Sequence, residues 1–330
     1  MVVKMFKEVE LTYQRIQKVA NHTPVMTSTT LNKKVNAECY IKCENFQKTG
    51  SFKFRGSINT LSLLSLESKK RGVITHSSGN HAQALALAAK LIGVKAVIVM
   101  PKNAPKVKVK ATKEYGAEII FCGNKPGDRE KAVELLIEQS DYKLIHPSND
   151  LEIIYGQGTA AYELIKEVGD LDYVFAPCGG GGLLSGTSIA SKGLCPKTKV
   201  IGVEPKNADD AYRSFRDGKI YPSLNPNTIA DGLRTSLGTN TFRIIRKHVN
   251  KIITVTEQEI VNAMKFYWTR MKLIVEPSGA VSLAGVLSNK INLSSKKVGI
   301  IISGGNIDLT DFFNNIMEEL NHEEKKISSG

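Results

Sequence analysis

The stretch "GVITHSSGNHAQALALAAKLIGVKAVIVM", Gly72 to Met100, decides the fold class. It opens with "GVITHSS", a short β-branched run that reads as a strand. "NHAQALALAAKLIG" follows, rich in alanine and leucine and closed by Gly93, and reads as a helix. "KAVIVM" is a second strand. Strand, helix and strand in that order form a crossover that pairs the strands in parallel.

The alternation continues along the chain. "APKVKVKATKEYG" predicts a helix with a proline near its start and Gly116 at its end, "AEIIF" a strand, "GDREKAVELLIEQS" a helix and "YKLIHP" a strand. "GQGTAAYELIKEVG" then reads as a helix from Gly156, "DYVFAP" as a strand, "GLLSGTSIASKG" as a helix and "KVIGVEP" as a strand. Long helices are expected at Gln258 to Lys272 and Pro277 to Ser288, before the strand "KVGIIIS". This is an α/β architecture: open, mostly parallel sheets with helices on both faces. At 330 residues the chain exceeds what one core usually supports, so two lobes are expected. The final residues, "NHEEKKISSG", are polar and expected to fray.

Composition narrows the function classes. No apolar run reaches the roughly 18 to 20 residues of a membrane span. The start, "MVVKMFKEVELTYQ", carries charges throughout, and a cytoplasmic protein is expected. Five scattered cysteines (Cys39, Cys43, Cys122, Cys178, Cys195) complete no zinc pattern and read as free thiols. The formal charge of +13 raises the question of nucleic acid, but the lysines are dispersed and Trp268 is the one tryptophan. No nucleic-acid partner and no membrane is expected. The positive field suits small anions.

Open parallel sheets place their ligand beyond the carboxyl ends of the strands. "HSSGNH", "PCGGGG", "VEPKNADD" and "SGGN" all fall there. The glycines of "CGGGGLLSG", Cys178 to Gly186, can turn backbone N–H groups inward at a helix start, which suits a phosphate; a flexible turn is the competing reading. In "THSSGNHAQA", Ser77, Ser78 and Asn80 could hold a carboxylate or simply cap the helix. Glu204 and Asp210 in "VEPKNADD" suit a hard divalent ion or belong to a solvated acidic turn. "IISGGN" ends a strand with Ser303 and two glycines, or is an ordinary turn. In "SFKFRG", Lys53 stands between two phenylalanines. It either snorkels to water or sits in a dry pocket, where its amine becomes a nucleophile or Schiff-base former. A lysine, a phosphate cradle, a carboxylate loop and a strand-end serine together describe pyridoxal phosphate presenting an amino acid.

The ordered segments "KTGSFKFRG", "HSSGNHAQA", "GGGG", "EPKNADD", "IADGL", "RMKLIVEPSGA" and "SGGN" resemble the serine racemase and serine/threonine dehydratase family of fold-type II pyridoxal-phosphate enzymes, over about residues 5 to 315. The resemblance implies that Lys53 carries the cofactor as a Schiff base, Phe52 packs on its ring and Asn80 contacts its ring hydroxyl. Gly179, Gly180, Gly181, Gly182 and Leu183 would take the phosphate, and Ser303 would face the ring nitrogen, making a weaker electron sink than an aspartate would. Ser77, Ser78, Asn80 and His81 would bind the substrate carboxylate; Glu204, the Ala208 carbonyl and Asp210 would hold Mg²⁺ or Mn²⁺.

Racemisation needs acid/base groups on both faces of Cα. Ser78 stands where the racemases have the serine opposite the lysine and many plain dehydratases have alanine. The expected activity is therefore serine racemisation with concurrent dehydration. The alternatives are a serine/threonine or 3-hydroxyaspartate ammonia-lyase, a cysteine synthase-like β-replacement enzyme, and a catalytically silent sensor. The resemblance also implies ATP as an activator at the interface of a homodimer, through Ser28, Thr29, Thr30, Lys48, Thr49, Gln83, Tyr115, Arg270 and Asn306, with Thr30 standing where the family pattern is apolar. A regulatory domain after "SGGN" is not expected. The lobes implied are a small one at 72–147, a large one from 1–71 and 148–320, and a polar tail at 321–330.

Overall fold

Strands with continuous apolar runs can be stable only where both faces are covered. β4 (Ala96–Pro101) and β10 (Lys297–Ile302) are of this kind: each buries five consecutive residues. The computed structural model, which describes residues 2–104, 106–125 and 127–310, builds one sheet around each of them. The other strands are β1 (Val25–Met26), β2 (Glu38–Cys43), β3 (Val73–His76), β5 (Glu118–Cys122), β6 (Lys143–Leu144), β7 (Tyr173–Pro177), β8 (Lys199–Pro205) and β9 (Lys251–Val255). The larger sheet runs β1-β2-β10-β7-β8-β9 and the smaller β5-β4-β3-β6. All pairings are parallel except β1 with β2, where Val25 faces Lys42. The four strands of the smaller sheet all come from residues 73–144.

Element boundaries differ from the sequence expectation in several places. The helix expected from Gly156 begins at Leu151 and runs to Val168, so two glycines lie inside it. They are there for close packing. A Cβ on Gly156 would stand 2.4 Å from Gly56 Cα, and one on Gly158 would stand 2.9 Å from the Gly186 carbonyl oxygen. This helix therefore presses backbone to backbone on helix Lys53–Ser62 on one side and helix Gly182–Leu194 on the other. "YKLIHP" contributes a strand of only two residues. The helix expected to reach Lys272 is α-helical over Glu257–Phe266 and widens to a π turn at Tyr267–Met271. The lysine-rich helix runs Lys106–Glu114; Pro105, read near its start, lies outside the described residues, as do 311–320 of the large-lobe span and the tail at 321–330. A helix at Val2–Ile16 precedes the first strand.

One buried charge cluster ties these parts together. Arg55 is fully buried two residues after Lys53; its Nε donates to Glu44 at 2.7 Å and its Nη1 to Glu163 at 2.7 Å. Lys42 Nζ donates to Glu163 at 2.6 Å and to the Thr23 carbonyl at 2.6 Å. Burial pulls the Arg55 pKa down, but the two carboxylates outweigh it and hold the guanidinium charged. Burial raises the Glu163 carboxyl, yet Arg55 and then Lys42 bring it below the ordinary 4.5.

Removing Arg55 strands two buried carboxylates against Lys42 alone. Arg55→Met should cost about 3–5 kcal/mol, read as a lower urea midpoint. The pH dependence should change sign as well. Wild-type Glu163 has a depressed folded pKa, so its contribution is present above pH 4.5 and lost as pH falls through the depressed value. In the variant its pKa rises, and the deficit should shrink between pH 7 and pH 5. An unchanged midpoint, or a deficit constant over that range, would show that the cluster does not hold the fold.

Candidate active site

Lys53 opens helix Lys53–Ser62, and its amine turns inward to donate to the Pro147 carbonyl at 2.8 Å. It does not snorkel outward. Burial lowers its pKa from 10.5 to about 8, which brings its unprotonated form far closer to neutral pH than in an exposed lysine. Phe52 lies against it, with the ring centroid 5.2 Å from Nζ, and the Phe52 amide donates to the Ser303 carbonyl at 3.0 Å. Ser303 itself is buried at the end of β10. Lysine, aromatic ring and strand-end serine thus lie together.

The segment after β6 links the lysine to the glycine loop. Pro147 receives the Lys53 amine, and the next residue, Ser148, fills the space beside the glycines. A Cβ on Gly180 would stand 2.4 Å from Ser148 Oγ, and one on Gly182 would stand 3.0 Å from the Ser148 carbonyl oxygen. On the far side, a Cβ on Gly179 would stand 2.9 Å from Leu233 Cα. Gly181, at φ +80, takes the left-handed turn that side chains rarely adopt. The loop is a tight cradle that only glycine fits. It opens helix Gly182–Leu194 with no side-chain cap, and Leu183 lies in its first turn, where backbone amides lack partners within the helix. Such a set suits an anionic tail.

The second helix start is built alike. Helix Asn80–Ile92 begins at Gly79 without a side-chain cap, so the capping alternative for "HSSGNH" is not realised. Ser77 Oγ accepts from the Gly79 amide at 3.3 Å, while no side-chain hydrogen bond engages Ser78 among the described residues. Asn80 Nδ2 donates to Glu276 at 2.7 Å, and Asn80 Oδ1 accepts from Asn306 at 2.9 Å. Asn306 also donates to the Thr49 carbonyl at 2.7 Å. His81 is buried, with neither ring nitrogen partnered among the described residues. Burial, then the Lys53 charge, keeps its pKa well below 6.5.

Three neighbours were not singled out from the sequence. His146 accepts the amides of Ser148 and Asn149 at 3.2 and 3.0 Å, which shapes the turn under the cradle. Burial, then His76, brings its pKa to about 4. Glu276 is buried, and desolvation, then Asp231, pushes its carboxyl up to about 8. Leu233 forms the cradle's far wall. The available signal was position: "HPSND" follows a strand, and Glu276 and Leu233 sit in "VEPSG" and "IADGL".

The acidic segment follows the neighbouring strand, and its Glu204 and Asp210 charges reach Cys178 at the start of the glycine loop. Glu204 ends β8 and accepts the amides of Ala211 and Tyr212 at 3.0 and 2.7 Å. Asp210 opens helix Asp210–Asp217 with both carboxylate oxygens buried and unpartnered among the described residues. Burial lifts the Asp210 pKa to about 6, and burial with the Asp210 charge lifts Glu204 well above 4.5. Ala208 is buried in the turn between them. Asp209 instead pairs with Arg213 at 2.7 Å near the surface. Two desolvated, mutually repelling carboxylates beside a buried turn fit a hard divalent cation.

The nine residues expected at an activator site fall into two groups. Lys48, Thr49 and Asn306 neighbour the start of helix Asn80–Ile92, which carries Gln83; Tyr115 packs on the same apolar cluster as that helix. Ser28, which caps helix Thr29–Val35, stands with exposed Thr29 and Thr30 elsewhere, as does exposed Arg270. No hydrogen bond or ion pair joins the two groups among the described residues. All five cysteines are free and buried, and no described helix is long and apolar enough to cross a membrane.

The geometry so far asks for a ligand with a carbonyl for the lysine and an anion for the cradle. Comparison with known proteins agrees. The chain is 48% identical over 310 residues to a serine racemase of Schizosaccharomyces pombe, covering 94% of this chain and 96% of that one. It is 49% identical to an L-threo-3-hydroxyaspartate ammonia-lyase of Saccharomyces cerevisiae, covering 94% and 95%. Its fold superposes on maize serine racemase with a TM-score of 0.94 at 42% identity, over 97% of this chain and 98% of that one. The family model described as pyridoxal-phosphate dependent enzyme matches residues 16–304, and the chain belongs to that family.

Proposed function

We propose that the protein is a serine racemase that interconverts L- and D-serine and also eliminates water from serine to give pyruvate and ammonia. The observation that carries this reading is the difference between two adjacent serines. Ser77 accepts from the Gly79 amide, while no side-chain hydrogen bond engages Ser78 among the described residues, so its hydroxyl would be available to exchange a proton with substrate. Lys53, with a pKa of about 8, is poised to take or return a proton at neutral pH. Pyridoxal phosphate, when bound, supplies the electron sink that acidifies the Cα proton. Gly179 to Gly182 and Leu183 would hold its phosphate, Phe52 and Ser303 its ring and Asn80 its ring hydroxyl. The amides at the Asn80 helix start, with Ser77, Ser78 and His81, would hold the substrate carboxylate. Glu276 near pH 7 is mostly protonated, so it would not repel that anion. A 3-hydroxyaspartate ammonia-lyase is the second reading, favoured by the yeast relative at 49% identity.

Glu204, Asp210 and the Ala208 carbonyl would hold Mg²⁺ or Mn²⁺. ATP bound between two copies of the chain in a homodimer, in the cytoplasm, belongs to the same proposal and rests on the resemblance of the nine activator residues to the family pattern.

Three measurements test this proposal. Purified protein given L-serine should yield both D-serine and pyruvate; pyruvate alone would leave the ammonia-lyase reading. Ser78→Ala should suppress D-serine formation at least about tenfold more than elimination from L-serine, since it removes one of the two proton-transfer groups. Equal losses would remove the two-base assignment. Mg²⁺ should raise the melting temperature of wild-type protein and leave that of Asp210→Asn unmoved, and equal responses would place the ion elsewhere.

A further inference from the structure

One ion pair spans the two sheets at the edge of the candidate site, and none of the roles above uses it. Lys108, on helix Lys106–Glu114, places its amine on the Asp231 carboxylate. Among the described residues this is the one ion pair between 72–147 and the chain after 148. The side chains are 17% and 43% exposed, so the pair lies at a rim that salt can reach.

Asp231 is held firmly. It opens the short turn Asp231–Leu233, whose Gly232 amide donates to Ser278 Oγ at 3.0 Å and whose Leu233 walls the glycine cradle at Gly179. Ser278 lies two residues beyond Glu276, the acceptor of Asn80. The anion therefore belongs to the large-sheet wall of the site, and the cation rides on the helix packed against the smaller sheet. Asp231 raises and Lys108 lowers the pKa of Glu276, so both charges reach the site interior.

We propose that Lys108 and Asp231 form a latch that holds the smaller sheet over the site, keeping Ser77, Ser78 and Asn80 aligned with Lys53 and the cradle. They are positioning residues, acting through the closed arrangement and not on the reacting atoms. Loss of the latch lowers the population of the closed form, and apparent affinity falls by the same fraction.

The test uses Lys108→Met, Asp231→Asn and the exchanged pair Lys108→Asp with Asp231→Lys, all as cofactor-loaded enzyme. Each single change should raise KM for L-serine about twofold to fivefold, as expected for a partly exposed pair, with kcat changing less. Each should also speed amide hydrogen exchange in residues 106–114 without substrate, and the exchanged pair should recover both measures. Raised salt should lift the wild-type KM and leave the single variants level. Singles that match wild type in KM and exchange, or an exchanged pair no better than the singles, would overturn the latch. The exchange arm needs no turnover, so it judges the latch separately from the identity of the product.

Discussion

The structure depends on the burial of Arg55. A guanidinium with no exposed surface is tolerable only where its donors and charge are met, and here two carboxylates, Glu44 and Glu163, meet them from different elements. Glu44 follows β2 of the larger sheet, and Glu163 lies on helix Leu151–Val168. Arg55 lies one half-turn along the helix that Lys53 opens. The cluster therefore fixes the base of the lysine helix to the sheet and to its neighbouring helix at once. Lys42, buried with them, balances the second carboxylate so that two cations meet two anions.

From that anchor the spacing of the site follows by backbone contact. Helix Leu151–Val168 touches the lysine helix at Gly156 and Gly56, and the cradle helix at Gly158 and Gly186. Side chains at these positions would push the helices apart and move the amine away from the glycine loop. The turn before this helix completes the arrangement: Pro147 receives the amine, Ser148 packs into the cradle, and His146 caps both amides that follow. Chemistry-bearing residues from 53, 146–148 and 179–182 thus share one place because one helix is thin at two points.

Much of this was legible in the sequence, and what was not has a common cause. The alternation after Gly72 is a local signal, since period and glycine stops show within one element. Lys53, the glycine loop and "HSSGNH" each carried an oddity of composition. Gly156 and Gly158 misled because glycine marks helix ends locally, while here it serves contacts with residues 100 and 28 positions away. β1 pairs antiparallel within two residues, too short to leave a pattern. Glu276 and His146 look ordinary in sequence; only burial among neighbours distant in the chain shifts their protonation.

Those shifts share a direction that bears on the chemistry. The net charge of +13 suggests anions gathered by cations, yet burial in the candidate site disfavours the charged form of each group that could hold them. Lys53 is drawn toward its neutral form, His81 and His146 are held neutral, and Glu276 is drawn toward its protonated form. Positive potential comes instead from two uncapped helix starts, at Gly182 and Asn80. Partial charges on fixed backbone amides can hold a phosphate and a carboxylate without protonating or pairing with the groups that must move protons. A lysine or arginine in their place would bind the same anions, but would also pull the pKa of Lys53 further down and compete for the carboxylate. Dipoles in place of ions let one small pocket bind two anions and still leave an amine and a hydroxyl free for acid–base work.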